Sequence, residues 1–429
     1  MERPKLKCFF WLIVLLVAEV VAVHGSLWAG GISLYEIGTP DLGLASAGYA
    51  ARAQDASTVF TNPAGMSFLE TSQVMGGLQT LYGNMEFSAN LGTTVSGSNG
   101  GNAVGWLPGA SLFATQKLNK DWSIGFGMLS YFGLSESYDD NWVGRYYVKK
   151  SSLIGMTLTP AASYRVNDWL SLGAGLNMMY GYLDTEVAVN NLGDTRPDGQ
   201  LKIKDTEWGY GGNFGILVEP MTGTRFGLTY LTEVNLKFSE IPEFSGLDTG
   251  LETLLRNRGL TTNNLDLSMN VPQMVMFSAN RNVNEKWSIL GNIGWQNWSR
   301  FGMVDVGINS TDPRTLTVDN DYKDTWHVAL GTQYHYSPLW TFTGGIAYDS
   351  SAVDSDKRTV TLPMAEAWRF ALGTQYAIRS DLTLGVAYEF MWNGDMSVNQ
   401  SRGTEAGTVT GAYHNASFSF VALNLSWKY

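Results

Sequence analysis

The 429-residue chain contains a single cysteine, Cys8, and four histidines. Cys8 falls in an N-terminal leader, so the rest of the chain can form neither a disulfide nor a thiolate metal site. Charge is also scarce. Only 16% of residues are Asp, Glu, Lys or Arg, against about a quarter in an ordinary soluble domain. The net charge of -11 reads as solvated acidic loops and gives no concentrated basic surface for a phosphate backbone. After residue 23 there is no apolar run of the roughly 20 residues that a membrane-spanning helix needs. Catalytic motifs are missing as well: there is no Gly-x-Ser-x-Gly elbow, phosphate-cradling Gly-Lys-Ser/Thr loop or His-Glu-x-x-His. No enzyme, cofactor or metal is expected. An enzyme would need a His/Asp/Ser cluster assembled from distant positions.

The chain does have 48 glycines, 15 tryptophans, 20 tyrosines and 19 phenylalanines, with a mean hydropathy of -0.08. Low charge and abundant aromatics, with alternation averaging the hydropathy to zero, indicate a transmembrane β-barrel. A large secreted β-sandwich or propeller shares this composition. The leader carries Arg3, Lys5 and Lys7, then the apolar run Phe9 to Val23, interrupted by Glu19. It reads as a secretory signal peptide over residues 1–25, cut after Gly25 or after Ala29. An uncleaved anchor is the alternative.

Beyond residue 70 apolar and polar residues alternate with period two, as in half-buried strands. Val421, Leu423, Leu425, Trp427 and Tyr429 share one face, and Ala422, Asn424, Ser426 and Lys428 the other. Trp368 to Tyr376 and Leu382 to Phe390 repeat the pattern. The large apolar set is expected to face lipid and the small or polar set the lumen. Connections alternate in length. Short turns fall at 119–121, 167–168, 220–223, 283–285, 337–338 and 379–381. Long polar segments fall near 91–102, 135–152, 189–205, 239–266, 307–320, 350–362 and 397–412. Counting between them gives an all-β fold, an antiparallel transmembrane barrel of about 14 strands, with short periplasmic turns and long external loops. Closure removes the exposed edges of so large a sheet. In the longest loop Leu247, Leu251, Leu254 and Leu255 lie on one helical face and predict a short amphipathic helix packed on neighbouring loops. Trp and Tyr near strand ends, Trp142, Tyr146, Tyr147, Trp169, Trp287 and Trp340 among them, are expected as interfacial anchors.

On the inward parity, Arg165, Arg225 and Arg369 are basic candidates, and Glu233 and Glu389 acidic ones. Met179, Met274, Met276, Phe418 and Phe420 are apolar ones. An apolar track with a few basic residues suits an amphiphile with an acyl tail and a carboxylate. For each charge, pairing with a neighbour is the plainer role. His327 and His335 are expected as solvated lumenal residues. Eight residues apart on a strand, they stand about 26 Å apart and cannot share a metal.

The stretch that fails to alternate is the N-terminal block. Gly43-Leu-Ala-Ser-Ala-Gly-Tyr-Ala-Ala51 leads into Asp55-Ala-Ser-Thr-Val-Phe-Thr-Asn-Pro-Ala-Gly65. Residues 26–70 are expected to form a plug inside the barrel of residues 71–429. Small residues allow close approach to the wall, and Pro63 fixes a bend. Asp55 and Asn62 are expected to hydrogen-bond plug backbone or wall.

Several pieces resemble one family. They are Leu34-Tyr-Glu-Ile-Gly-Thr-Pro-Asp-Leu-Gly43, Ala47-Gly48, Asp55 to Met66, Trp142-Val-Gly-Arg-Tyr146, Pro160 to Gly175, Asn284-Glu-Lys-Trp-Ser-Ile-Leu290, Trp295-Gln-Asn-Trp-Ser-Arg-Phe301 and the terminal Tyr429. Their order and spacing are similar to those of the FadL/TodX outer-membrane transporters of long-chain fatty acids and other hydrophobic compounds. The resemblance implies a fourteen-stranded barrel in the bacterial outer membrane with an N-terminal hatch whose Asn-Pro-Ala sequence falls on Asn62, Pro63 and Ala64, followed by Gly65. It also implies a kinked third strand, here about Asp121 to Leu134, opening a lateral exit, with Gly125, Gly127 and Gly133 as places for the bend. Implied too are capture on the external loops, chiefly 135–152 and 239–266, and passive diffusion with no cofactor. The implied partners are the hydrophobic substrate, outer-membrane lipid and the barrel-assembly machinery reading Tyr429, with the protein a monomer. Aromatic hydrocarbons are an alternative substrate class, and a general porin or adhesin an alternative function.

Overall fold

The computed structural model describes residues 35, 37–191, 197–257, 259–308 and 314–429. The leader and both of its cleavage candidates lie outside them. Fourteen antiparallel strands form the wall: β1 (Gln73–Asn84), β2 (Gly105–Lys117), β3 (Trp122–Ser137), β4 (Lys150–Arg165), β5 (Leu170–Val189), β6 (Gly199–Met221), β7 (Thr224–Leu231), β8 (Met274–Asn282), β9 (Trp287–Gln296), β10 (Thr325–His335), β11 (Trp340–Asp349), β12 (Ala367–Arg379), β13 (Leu382–Ser401) and β14 (Thr408–Lys428). Each pairs with its chain neighbour, and β1 pairs with β14 from Gln73↔Lys428 to Asn84↔Ser417, which closes the barrel.

Alternation sets the faces. On β14, Val421, Leu423, Leu425 and Trp427 point outward and Ala422, Asn424 and Ser426 are buried. Cross-strand aromatic pairs ring the wall at two heights. Trp122 lies against Tyr164, Trp287 against Tyr334 and Trp340 against Tyr376 beside the short turns. Tyr82 against Trp106, Tyr180 against Trp208 and Tyr348 against Trp368 form the other ring. These are the two interfacial girdles of a membrane barrel.

All six short turns fall where alternation puts them, but several strands run further than expected at the long-loop end. Residues 199–205 and 397–401 are strand. Beyond the membrane the outward face of a strand no longer needs to be apolar, so these hairpins read as polar loop although Ile203 and Val398 are buried on the other face. A second sheet of four strands, 234–240, 265–271, 303–308 and 314–319, folds over this end. Its first strand packs Val234 and Leu236 against Gly209 and Gly181 of the wall. The longest loop does form a helix, Thr249–Asn257, but none of its residues is buried. Trp142 is not an interfacial anchor. It is fully buried in the external loops, stacked 3.8 Å from Tyr138 with its Nε1 donating to the Val148 carbonyl.

Residues 37–69 run inside the barrel as two short helical turns, α1 (Thr39–Leu42) and α2 (Thr58–Thr61), and a 3-10 helix, Pro63–Phe68. This inner segment passes around the wall strand by strand. Leu44 abuts β11, Ala47 β10, Ala50 β7, Asn62 β6 and Ala64 β5. At these contacts the wall presents glycine. A Cβ built on Gly227 would stand 1.9 Å from the Ala50 carbonyl oxygen, and one on Gly345 2.0 Å from that of Leu44. Backbone packs on backbone there, which any side chain would prevent.

Candidate functional site

The inner segment is held by polar contacts placed along its path. The Asn62 side chain accepts from Ala64 N at 3.1 Å and donates to the carbonyls of Ala50 at 2.7 Å and Ile216 at 3.0 Å. One amide thus caps the 3-10 helix, ties two stretches of the segment together and fixes both to β6. Pro63 opens that helix, where a missing N–H costs nothing. Ser171 Oγ donates to the Ala64 carbonyl, Asn213 to that of Phe60, and Ala50 N to Ser278 Oγ. Gly65 stands 2.1 Å, measured from a built Cβ, from Thr58 Oγ1. Asp55 accepts from Ser57 N at 2.9 Å, and the neighbouring Arg52 forms a buried ion pair with Asp41 at 2.7 Å.

The third strand behaves unlike the rest. Its ladder to β2 runs only from Lys117↔Ser123 to Leu112↔Met128. Above that, β2 stays paired to β1 and β3 to β4, with a register shift between Ser130 and Phe132. Leu129, Tyr131 and Phe132 are all buried, so alternation fails and the strand leans into the lumen. The end of β3 meets the chain just before β2 where Ser137 N donates to the Ala103 carbonyl at 2.7 Å. A window is thus framed in the wall. Of the three glycines singled out from sequence, Gly133 adjoins the bulge with φ +154°. Gly125 instead receives Val59 and Met66 of the inner segment, and Gly127 packs on Phe113. Phe60 of the inner segment meets the bulged Tyr131 at 4.8 Å between ring centroids.

Two cavities flank β3 at the long-loop end. The lumenal one, about 140 Å³, has walls of Met85, Val104, Leu134, Met391, Phe418 and Phe420, with Trp298 beside them. Its floor is polar. Arg369 is held by Asp349 Oδ2 at 2.5 Å and Glu389 Oε1 at 3.0 Å, and its guanidinium lies 5.6 Å from the Tyr35 ring centroid. Met364 and Ala365 roof it. That loop is pinned by Arg358, which donates to the carbonyls of Met364 at 2.7 Å and Ser397 at 3.1 Å. Burial holds the Arg358 guanidinium below its ordinary pKa, with Glu366 opposing.

The outer cavity, about 270 Å³, is a groove of Phe132, Leu153, Leu183, Leu267, Met269 and Phe301, with Arg402 at its edge. Leu134 lines both cavities. Between them stand Phe132, Trp298 and Phe301, with Phe132 5.6 Å from Phe301 and 6.3 Å from Trp298. The last two belong to the short helix Trp298–Phe301, whose start is fixed by Asp324 accepting from Ser299 Oγ at 2.7 Å and Asn297 Nδ2 at 2.8 Å.

Arg369, Phe418 and Phe420 therefore meet at one cavity, as inward parity requires. Arg165 and Arg225 line neither cavity. Arg165 donates to the turn carbonyls of Asn167 and Asp168, and Arg225 to Glu219 and the Arg52 carbonyl. Both guanidiniums flank the Phe68 ring near the short-turn end. Met179, Met274 and Met276 are buried in the core that includes Tyr49, Ala50 and Phe60 of the inner segment. Glu233 is half-exposed beside Arg300 in the external loops rather than lumenal. His327 is buried rather than solvated, bonded to Asp349 at 2.6 Å under the Tyr35 ring. His335 bonds Thr341 Oγ1 at 2.9 Å. The groove draws on strand 265–271 and residues 359–362, not on the helix in the longest loop or residues 139–149. Leu134, Glu136, Asp349 and Arg402 escaped sequence reading. The adjacent aromatics Tyr131-Phe132 break the alternation of β3, and a parity count restarted there would have turned Leu134 and Glu136 toward the cavity.

A closed fourteen-stranded barrel with aromatic girdles, an inner segment and apolar cavities in its mouth defines an outer-membrane carrier of hydrophobic compounds. The sequence profile of the outer membrane protein transport protein family (OMPP1/FadL/TodX) matches residues 20–429, and the chain belongs to that family. A long-chain fatty acid transport protein of Escherichia coli O6:H1 is 28% identical over 91% of this chain and 93% of its own length. Outer membrane protein P1 of Haemophilus influenzae is 26% identical over 88% and 89%. A crystal structure of a Pseudomonas aeruginosa FadL homologue superposes with a TM-score of 0.84 at 18% identity, covering 93% of this chain and 100% of that one. The Ralstonia pickettii toluene transporter TbuX does so at 0.66 and 18%, covering 92% and 99%. The protein resides in the outer membrane and acts as a transporter, not an enzyme.

Proposed function

We propose that the chain admits long-chain fatty acids by passive diffusion, from the outer groove to the lumenal cavity and then sideways through the window between β2 and β3. The observation that carries this reading is Leu134, which lines both cavities on the strand whose pairing is interrupted. The groove is apolar and Arg402 offers a cation at its edge, which suits an acyl chain with a carboxylate. Val104 and Leu134 place cavity lining on both margins of the window. The E. coli relative carries the name of a fatty acid transporter. Residues 26–70 act as the hatch in this reading, with Phe60 on Tyr131 linking its position to the window. Residues 1–25 are the cleaved leader.

Aromatic hydrocarbons are the second reading, favoured by Trp298, Phe418 and Phe420 around the lumenal cavity. Uptake of labelled oleate and labelled toluene by cells lacking other such transporters separates the two. Wild type is expected to restore oleate uptake, and Leu134→Trp to cut it at least tenfold with the barrel intact. Toluene uptake without oleate uptake would overturn the fatty-acid reading. Undiminished oleate uptake by Leu134→Trp would overturn the route.

A further inference from the structure

Among the residues that line the lumenal cavity, one carries an acceptor that the protein leaves unused. Glu136 lines the cavity with only 2% of its surface exposed. Its Oε2 is reached by the Tyr138 hydroxyl at 3.4 Å, but that hydroxyl lies closer to Tyr413 Oη, at 2.6 Å, and to the Val360 carbonyl, at 3.2 Å. Glu136 Oε1 has no hydrogen-bond partner among the described residues. The one cation in the lining, Arg369, already bridges Asp349 and Glu389. Apart from these groups the cavity is mostly apolar, with Leu134, Val104 and Phe418 around it.

A buried acceptor without a donor is costly, and a ligand that brings a donor removes that cost. A ligand that brings a full negative charge instead has to bury it in a mostly apolar cavity whose cation is already engaged. We propose that Glu136 selects the head group of the transported compound. The lumenal cavity takes an apolar chain ending in a hydroxyl, either of an alcohol or of an un-ionised carboxylic acid, and rejects a permanent anion. This rests on the transport reading above and adds that a fatty acid enters this cavity with its proton, after meeting Arg402 as an anion.

Three ligands of equal chain length test it on the purified full chain in non-ionic detergent: 1-hexadecanol, methyl hexadecanoate and hexadecyl sulfate. Each is measured by displacement of tritiated hexadecanol. Wild type is expected to hold the alcohol about tenfold or more tighter than the ester or the sulfate, the ratio that corresponds to satisfying a buried polar group. Glu136→Leu should lose about that factor for the alcohol and leave the ester unchanged. Glu136→Gln, which keeps an acceptor, should retain the alcohol. Resistance of the folded barrel to cold sodium dodecyl sulfate verifies both variants. Equal binding of alcohol and sulfate by wild type would overturn the inference alone, as would an unchanged alcohol-over-ester preference in Glu136→Leu. Failure of every ligand to bind would overturn the transport reading with it.

Discussion

The inner segment meets the barrel in two different ways. Against β5, β7 and β11 its backbone lies directly on wall glycines, and Asn62, Ser171 and Asn213 tie it to β5 and β6. Against β3 the contact is made by side chains, Phe60 on Tyr131 and Val59 over Gly125. The first kind has no slack: a shift of half an ångström breaks hydrogen bonds and opens voids along a close-packed seam. Rings and methyls can slide or change rotamer at far smaller cost. The difference teaches where movement is cheapest: on the side of the window, with the glycine side as the fixed edge.

The comparison can be broken most severely on the fixed side. Gly227→Val is expected to abolish seating of the inner segment, because its Cβ and methyls occupy the place of the Ala50 carbonyl. Loss of the heat-modifiable barrel form, or trypsin cleavage within residues 37–69 of intact barrels, would register it. Arg52→Met leaves Asp41 buried and unpaired, a loss of about 3–5 kcal/mol for a broken buried pair. A lowered urea midpoint in liposomes would measure this. Asn62→Ala removes two bonds to carbonyls and a helix cap, for about 1–3 kcal/mol, read by the same titration. On the sliding side, Phe60→Leu should lower stability by about 1 kcal/mol or less while changing oleate uptake at least threefold. If Phe60→Leu and Asn62→Ala affect stability and uptake in the same proportion, the two sides are not different in kind.

Much of the barrel was legible in the sequence because a lipid-facing strand must alternate. The short turns, the strand count and the outward face of β14 all follow from that constraint. Legibility fails where the constraint lapses. The external ends of β6 and β13 stand beyond the membrane, where the outward face is free to be polar, and read as loop although Ile203 and Val398 are buried on their inner face, and the second sheet above the mouth was hidden in segments read as long polar loops. Arg165 and Arg225 have lumenal parity, but parity gives the face and not the height, and both sit near the short-turn end. His327 reads as solvated because nothing local reveals that Tyr35, far away in sequence, covers it. At β3 a single inserted residue inverts the faces of everything after it, which hid Leu134 and Glu136.

The pairing of β1 with β14 also dictates an order of events. The chain's first wall strand completes its ladder only against its last, so the cylinder cannot shut until synthesis and export have delivered Lys428. The inner segment immediately precedes β1 and already rests on β5 through β13. Its turns lie on wall strands that come later in the chain, so its native contacts are among the most non-local in the molecule and among the slowest to form. The segment therefore cannot reach its native seat before those later strands are in place, so its docking belongs to the last stage of assembly, alongside closure of the seam between the two ends of the chain.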